Sequence, residues 1–149
     1  MINPNLKYPI KIITKSDKKY IFDYIRKKYV RLTPEEWVRQ NFIKYLIEEK
    51  RYPQNLIGIE QKIPGKGQNQ RTDIIVYSKN AKVLMIVECK AENIKITQDV
   101  FNQAVRYNMQ YNTSYLVLTN GKNNYICKIN KDNKKYSFLQ EVPDYQNLL

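Results

Sequence analysis

Histidine is absent from all 149 residues of the chain. That absence removes Ser-His-Asp and Cys-His nucleophile pairs, His-ligated zinc and any histidine general base. Catalysis would have to run on carboxylates, lysine, tyrosine, thiol or a bound hard cation. Cysteine is nearly as scarce, with only Cys89 and Cys127, each inside an apolar strand-like run. They read as buried, reduced thiols of a cytoplasmic protein, and two thiols alone make a poor metal site. No apolar run reaches the roughly 18 residues of a bilayer-spanning helix, so no membrane partner is expected. The first ten residues lack the charged, apolar and small-residue sections of a signal peptide. Glycine numbers four, and no Gly/Ser/Pro-rich linker or internal repeat divides the chain. There is also no GxxxxGK[ST] run, so no nucleotide cofactor is expected.

Positive charge is what the chain has in excess. Twenty-six Lys and Arg against fourteen Asp and Glu give a net charge of +12, with a pI near 9.6. On a compact domain this points to a polyanionic partner, nucleic acid before membrane. A merely soluble basic surface is the plain alternative. The length fits one domain with a real core.

The order of elements can be read from periodicity and turn chemistry. Residues 8–14 and 19–23 are short alternating runs around Lys15-Ser16-Asp17-Lys18, an N-terminal hairpin. Thr33-Pro34-Glu35-Glu36 announces a helix, with Thr33 as N-cap and Pro34 in the first helical position. Val38, Phe42, Tyr45 and Leu46 continue it at helical spacing to about residue 50. Residues 56–63, 72–78 and 84–89 are β-branched-rich and predict three strands joined by hairpins. Thr97 opens a second helix through about Tyr111. Strands at 115–118 and 125–129 follow, and residues 136–139 add an edge strand. The sequence α-β-β-β-α-β predicts a mixed α/β fold, a central mixed sheet flanked by helices behind an N-terminal β-hairpin. The expected division is an extension over 1–32, a core over 33–130, and an edge strand with tail over 131–149, all in one domain.

Two acids stand out because they interrupt apolar strands. Asp73 and Glu88 at such positions cost on the order of several kcal/mol unless paired or metal-bound. Strand alternation puts Asp73, Ile75 and Tyr77 on one face, and Ile86, Glu88 and Lys90 on one face of the next strand. A hairpin centred between Asn80 and Ala81 sets Asp73 opposite Glu88, with Cβ atoms about 5 Å apart. Two carboxylates that close raise each other's proton affinity unless a cation lies between them. Lys90 supplies one positive charge. A hard divalent ion would supply the rest, since Mg²⁺ favours one or two carboxylates with water and phosphate oxygens. A structural acid–lysine pair at a strand edge is the simpler explanation of ExK alone.

Asp73, fourteen intervening residues and then Glu88-Cys89-Lys90 resemble the PD-(D/E)XK nuclease superfamily. More closely, residues 35–121 are similar to the N-terminal nuclease domain of type I restriction enzyme R (HsdR-like) subunits. That resemblance implies a restriction-endonuclease-like core and a Mg²⁺-dependent DNA endonuclease, with Mn²⁺ as a substitute. It implies Asp73 and Glu88 as metal-binding carboxylates, with the Cys89 carbonyl beside them, Lys90 as the catalytic lysine and Glu36 as the first-helix glutamate. Gln103 and Tyr107 match the QxxxY pair that engages DNA, and Arg106 adds a phosphate contact. Thr72 stands where the superfamily name has proline.

Each of these residues has a second explanation. Glu36 also fits a capping box with Thr33, although the helical wheel puts it within about 20° of Ile43 and Ile47, on the inward side. Gln103 and Tyr107 are an i, i+4 pair on one helix face and alone read as a solvated and a rim residue. Arg71, on the same strand face as Asp73, is the basic residue best placed for DNA. Glu60 falls inside a strand and reads equally as a metal-site or surface acid. Tyr125, Tyr136 and Tyr145 lack the spacing of a single-strand stacking platform. The expected partners are DNA, restriction-modification or motor subunits, and a second copy of the chain as a homodimer. A nuclease-fold module that binds DNA or protein without cutting is the alternative, because the chain has no translocase motor. A structural ion-pair network is the third reading.

Overall fold

In the computed structural model, residues 8–62, 71–109, 113–130 and 132–149 are described, apart from the side chains of Lys62, Arg71 and Tyr107. The chain opens with an antiparallel sheet of β1 (Ile12–Lys15), β2 (Lys18–Asp23) and β3 (Lys28–Arg31). The expected hairpin is present and a third strand extends it. The turn into β3 carries no glycine or proline signal. It is built instead by the fully buried Asp23, whose Oδ1 accepts from the amides of Ile25 and Arg26. Lys27 then reverses the chain at φ 58. An Asx turn closed by a left-handed lysine leaves little trace in residue type.

Helix α1 (Pro34–Glu48) begins as expected, with Thr33 Oγ1 accepting from the Glu36 amide at 3.0 Å. Next come β4 (Ile57–Lys62), β5 (Arg71–Tyr77) and β6 (Val83–Cys89), then α2 (Gln98–Asn108), β7 (Tyr115–Thr119), β8 (Asn124–Asn130) and β9 (Lys135–Leu139). Among the described residues the last six strands form one sheet in sequence order. β6 and β7 pair parallel across the α2 crossover, and the flanking pairs are antiparallel. This is the expected mixed sheet with its edge strand at β9. α2 is capped by the Thr97 hydroxyl, while the expected helical residue Tyr111 lies outside the described residues.

The central strands are buried on both faces, which is why they read as near-continuous apolar runs. Ile74, Val76, Met85, Val87 and Val117 pack with Val38, Phe42 and Leu46 of α1. The alternate residues, Ile75, Ile86, Leu116, Leu118 and Cys127, pack with Phe101 and Val105 of α2. The C-terminal tail closes the α1 side. Tyr145 donates to the Tyr77 carbonyl at 2.9 Å, and Tyr52 donates to the Pro143 carbonyl at 2.9 Å. Cys89 and Cys127 are free buried thiols. Burial pushes the Cys127 thiol up to about 12 and Cys89 well above its ordinary range, so both stay protonated and inert.

Phe42 is fully buried where α1 meets the sheet. Phe42→Ala is expected to cost about 3–5 kcal/mol through lost burial and cavity formation. Urea denaturation should show a lower midpoint with an unchanged slope.

Candidate functional site

The pairs Ile74↔Val87, Ile75↔Ile86 and Val76↔Met85 follow the register expected from a turn at Asn80–Ala81. A bulge at Val76/Tyr77 takes up one residue beside that turn, where Ala81 adopts φ 63. One step beyond Ile74↔Val87, Asp73 comes opposite Glu88 at the open end of the hairpin. There Asp73 Oδ2 accepts from the Cys89 amide at 2.7 Å. Glu88 is also aligned with Leu118 of β7, and the Lys90 amide donates to the Thr119 carbonyl at 2.8 Å. Sheet hydrogen bonding on both sides of β6 therefore fixes the backbone that carries Glu88 and Lys90.

Burial holds both carboxyls above their ordinary range. For Asp73, burial and the nearby Glu60 raise proton affinity, against the Cys89 amide, Arg39 and Lys90. For Glu88, burial comes first and the charge of Asp73 adds to it, opposed by Lys90 and a hydrogen bond from Asn108. Glu88 thus feels the charge of Asp73, and both acids respond to Lys90. A cation arriving between them would relieve both penalties.

α1 adds a second charge layer that sequence patterns did not reveal. The Arg39 side chain, 8% exposed, grips Glu36 with Nε to Oε2 at 3.0 Å and Nη2 to Oε1 at 2.6 Å. The same Nη2 donates to Glu60 at 2.9 Å, and Nη1 lies 3.7 Å from Asp73 Oδ1. Arg26, anchored to buried Asp23 at 2.5 Å, approaches Glu36 and Glu60 at 3.6 Å each. Burial disfavours the Arg39 charge, but Glu36, Glu60 and Asp73 more than offset it and hold the guanidinium protonated. Glu60 itself sits at φ 51, where the β4–β5 pairing skips from Ile59↔Ile74 to Gln61↔Thr72. That left-handed backbone costs about 1–3 kcal/mol for a residue other than glycine, and it sets Glu60 beside Arg39.

The site accordingly draws in Asp73, Glu88 and Lys90 from β5 and the end of β6, with Glu36 joined through Arg39. Glu36 caps nothing with its carboxylate, which turns inward to Arg39 and to Gln40 Nε2 at 2.9 Å. Gln103 and Arg106 are exposed on α2. The side chains of Tyr107 and Arg71 lie outside the described atoms. Arg39 and Asn108 were missed by sequence reasoning, and Arg26, which with Lys27 and Lys28 reads as a DNA-backbone contact, instead meets Asp23, Glu36 and Glu60. The available signal was the inward side of α1, since Glu36, Arg39 and Gln40 are spaced i, i+3, i+4 and align with Ile43.

Asp23, Glu36, Glu60, Asp73 and Glu88 are five carboxylates facing three cations, Arg26, Arg39 and Lys90, a net of two negative charges when all are ionised. Asp73 remains 32% exposed, with one oxygen held by the Cys89 amide and the other 3.7 Å from Arg39 Nη1. Asp73 and Glu88 are therefore the residues suited to a hard divalent cation that keeps several waters. Among the described residues, no group of three or more Asp, Glu or Cys is placed to hold a metal ion.

Solved structures similar to this chain include the following two. One is a fragment assigned as an HsdR subunit of a type I restriction enzyme from Vibrio vulnificus, with TM-score 0.55 and 19% identity, over 78% of this chain and 24% of that one. The chain thus spans about a quarter of that fragment's length, and the likeness concerns the fold. The other, assigned as a nuclease from Anabaena variabilis, has TM-score 0.49 and 11% identity over 100% of this chain and 93% of that one. No curated protein sequence matches the chain. The family profile described as type I restriction enzyme R protein N terminus (HSDR_N) matches residues 34–143, from the first residue of α1 into the C-terminal tail, and the chain belongs to that family.

Proposed function

We propose that the chain is a Mg²⁺-dependent DNA endonuclease domain that hydrolyses phosphodiester bonds, with Mn²⁺ able to substitute and no nucleotide cofactor of its own. The observation that carries this reading is the pair Asp73 and Glu88, facing each other across a strand end with raised proton affinity and with Lys90 beside both. A hard cation held by Asp73 and Glu88, with the Cys89 carbonyl and water, would supply charge neutralisation at the phosphodiester and a water of lowered pKa. The protein's own groups do the positioning. The Cys89 amide fixes one oxygen of Asp73, and Asn108 lies near enough to Glu88 to lower its proton affinity. Lys90 donates to the attacking water or the phosphate oxygens, while Glu36 acts through Arg39 rather than at the reacting atoms. Gln103, Arg106, Tyr107 and Arg71 engage the DNA backbone. Membership of the R-subunit family supports a place in a type I restriction system. Motor and modification subunits, and a second copy for two-strand cleavage, are the partners that follow.

One observation favours a second reading. Arg39 already lies among Glu36, Glu60 and Asp73, as expected of a domain that binds DNA or protein without cutting it.

Plasmid nicking with Mg²⁺ or Mn²⁺ separates the two. Wild type should nick. Lys90→Ala should lose at least 100-fold in rate, at the scale of one positioned proton-transfer group, while melting as wild type does. A folded wild type inert across metals and DNA forms would leave the binding module standing.

Metal and pH act together on stability. Folded Asp73 and Glu88 bind protons more tightly than the unfolded chain, whose ordinary values are 3.8 and 4.5. Between those values and the raised folded ones the native state holds more protons, so metal-free stability should fall as pH rises through that window. Adding Mn²⁺ should raise Tm most above the window, where both acids are ionised. Asp73→Asn should flatten both responses in thermal melts.

A further inference from the structure

Tyr125 and Phe138 are exposed by 36% and 53%, and both pack on the buried ring of Phe101 in α2. The ring centroids lie 6.0 and 5.1 Å from Phe101. Tyr136 braces the group from the side, 5.7 Å from Phe138, with its hydroxyl donating to Asn102 at 3.0 Å. The two exposed rings are therefore held against a rigid support while keeping surface open to solvent.

Their place in the sheet ties them to the acid site. Glu88 is aligned with Leu118 on β7, and Leu118 with Tyr125 on β8. Cross-strand partners point to one face, so Glu88 and Tyr125 lie in one row on the α2 side. The row spans two strand spacings, about 10 Å, or about three nucleotide rises of 3.4 Å. Phe138 follows on β9, opposite Cys127.

The border of the patch is well fixed. Buried Asn120 accepts from the amides of Lys122 and Asn123 and donates to the Ile94 carbonyl at 2.8 Å. One side chain thus joins the β7–β8 turn to the loop before α2. Gly121 in that turn has φ 87, and a Cβ there would press on Val38 at 3.4 Å. Lys122 in that turn and Lys95, next to Ile94 in that loop, are both exposed.

We infer that Tyr125 and Phe138 form a stacking platform for unpaired DNA bases next to the scissile position, with Lys95 and Lys122 on the adjoining backbone. This rests on the DNA-cleaving reading and extends it to a preference for strands whose bases are unstacked. Exposed π-faces take any base, and only a base freed from a duplex can lie on them. The lysines match the phosphates of a nucleic acid rather than a basic or apolar protein surface.

The test uses a single-stranded oligonucleotide carrying 2-aminopurine, and the matching blunt duplex, each titrated in EDTA. Tyr125→Ala/Phe138→Ala should bind the single strand about 10- to 100-fold more weakly. It should also lose the 2-aminopurine quenching seen with wild type, while duplex binding holds. Tyr125→Trp/Phe138→Trp should restore both signals. Unchanged single-strand binding, or equal weakening toward both DNA forms, overturns the platform; the first is expected if the face covers another protein. Nicking by the same wild-type preparation is scored separately. Nicking with unchanged single-strand binding removes the platform and leaves the nuclease, whereas quenching without nicking supports the platform and counts against cleavage.

Discussion

Five carboxylates gather at one end of the main sheet in a chain whose net charge is +12, and that crowding constrains everything around them. Like charges in a partly buried setting cannot all ionise without cations at hand. Arg39 is the residue that makes the cluster tenable. Its guanidinium has donors in a rigid planar fork, which lets it meet Glu36 bidentately while also serving Glu60 and facing Asp73. Through it α1, β4 and β5 are held to one another by charge as well as by apolar contact. Arg26 extends the same network into the N-terminal sheet, which lies outside the residues the family profile covers.

The fold serves this cluster by letting antiparallel and parallel pairings share one strand. β6 is antiparallel to β5 and parallel to β7, so its C-terminal end is held from both sides where Glu88 and Lys90 emerge. The parallel pairing requires a crossover, and α2 is that crossover. It covers the face on which Glu88 lies and brings Asn108 to it. Phe101 of the same helix supports the exposed rings of β8 and β9. One connection thus links the acid pair and the aromatic patch.

Much of the site was legible in the chain because its signals are local. Asp73 and Glu88 break apolar runs, and period-2 alternation puts each on a definite strand face. Their facing arrangement followed from the turn position, although Ala81 is a poor turn residue and the bulge beside it left no mark in residue type. Arg39 was harder to read, since its alignment with Glu36 and Ile43 marks the inward side of α1 but does not say which acids it would meet there. Phe138 escaped notice for a related reason. It meets Tyr125 through Phe101 in three dimensions, and the tyrosine spacing along the chain does not encode that.

What the sequence alone determined was the element order from the first helix onward, the mixed α/β class, and the exclusion of histidine chemistry by the absence of that residue. Those properties depend on residue type and on periods of 2 and 3.6, which act over a few neighbours. The third N-terminal strand, the Arg39 bridge, the inward turn of Glu36 and the clustering of Tyr125 with Phe138 were settled only by tertiary structure. Each depends on residues far apart in the chain being brought together, as with residue 39 and residue 73, or residue 101 and residue 138. Such distances are set by how whole elements pack, not by any local pattern.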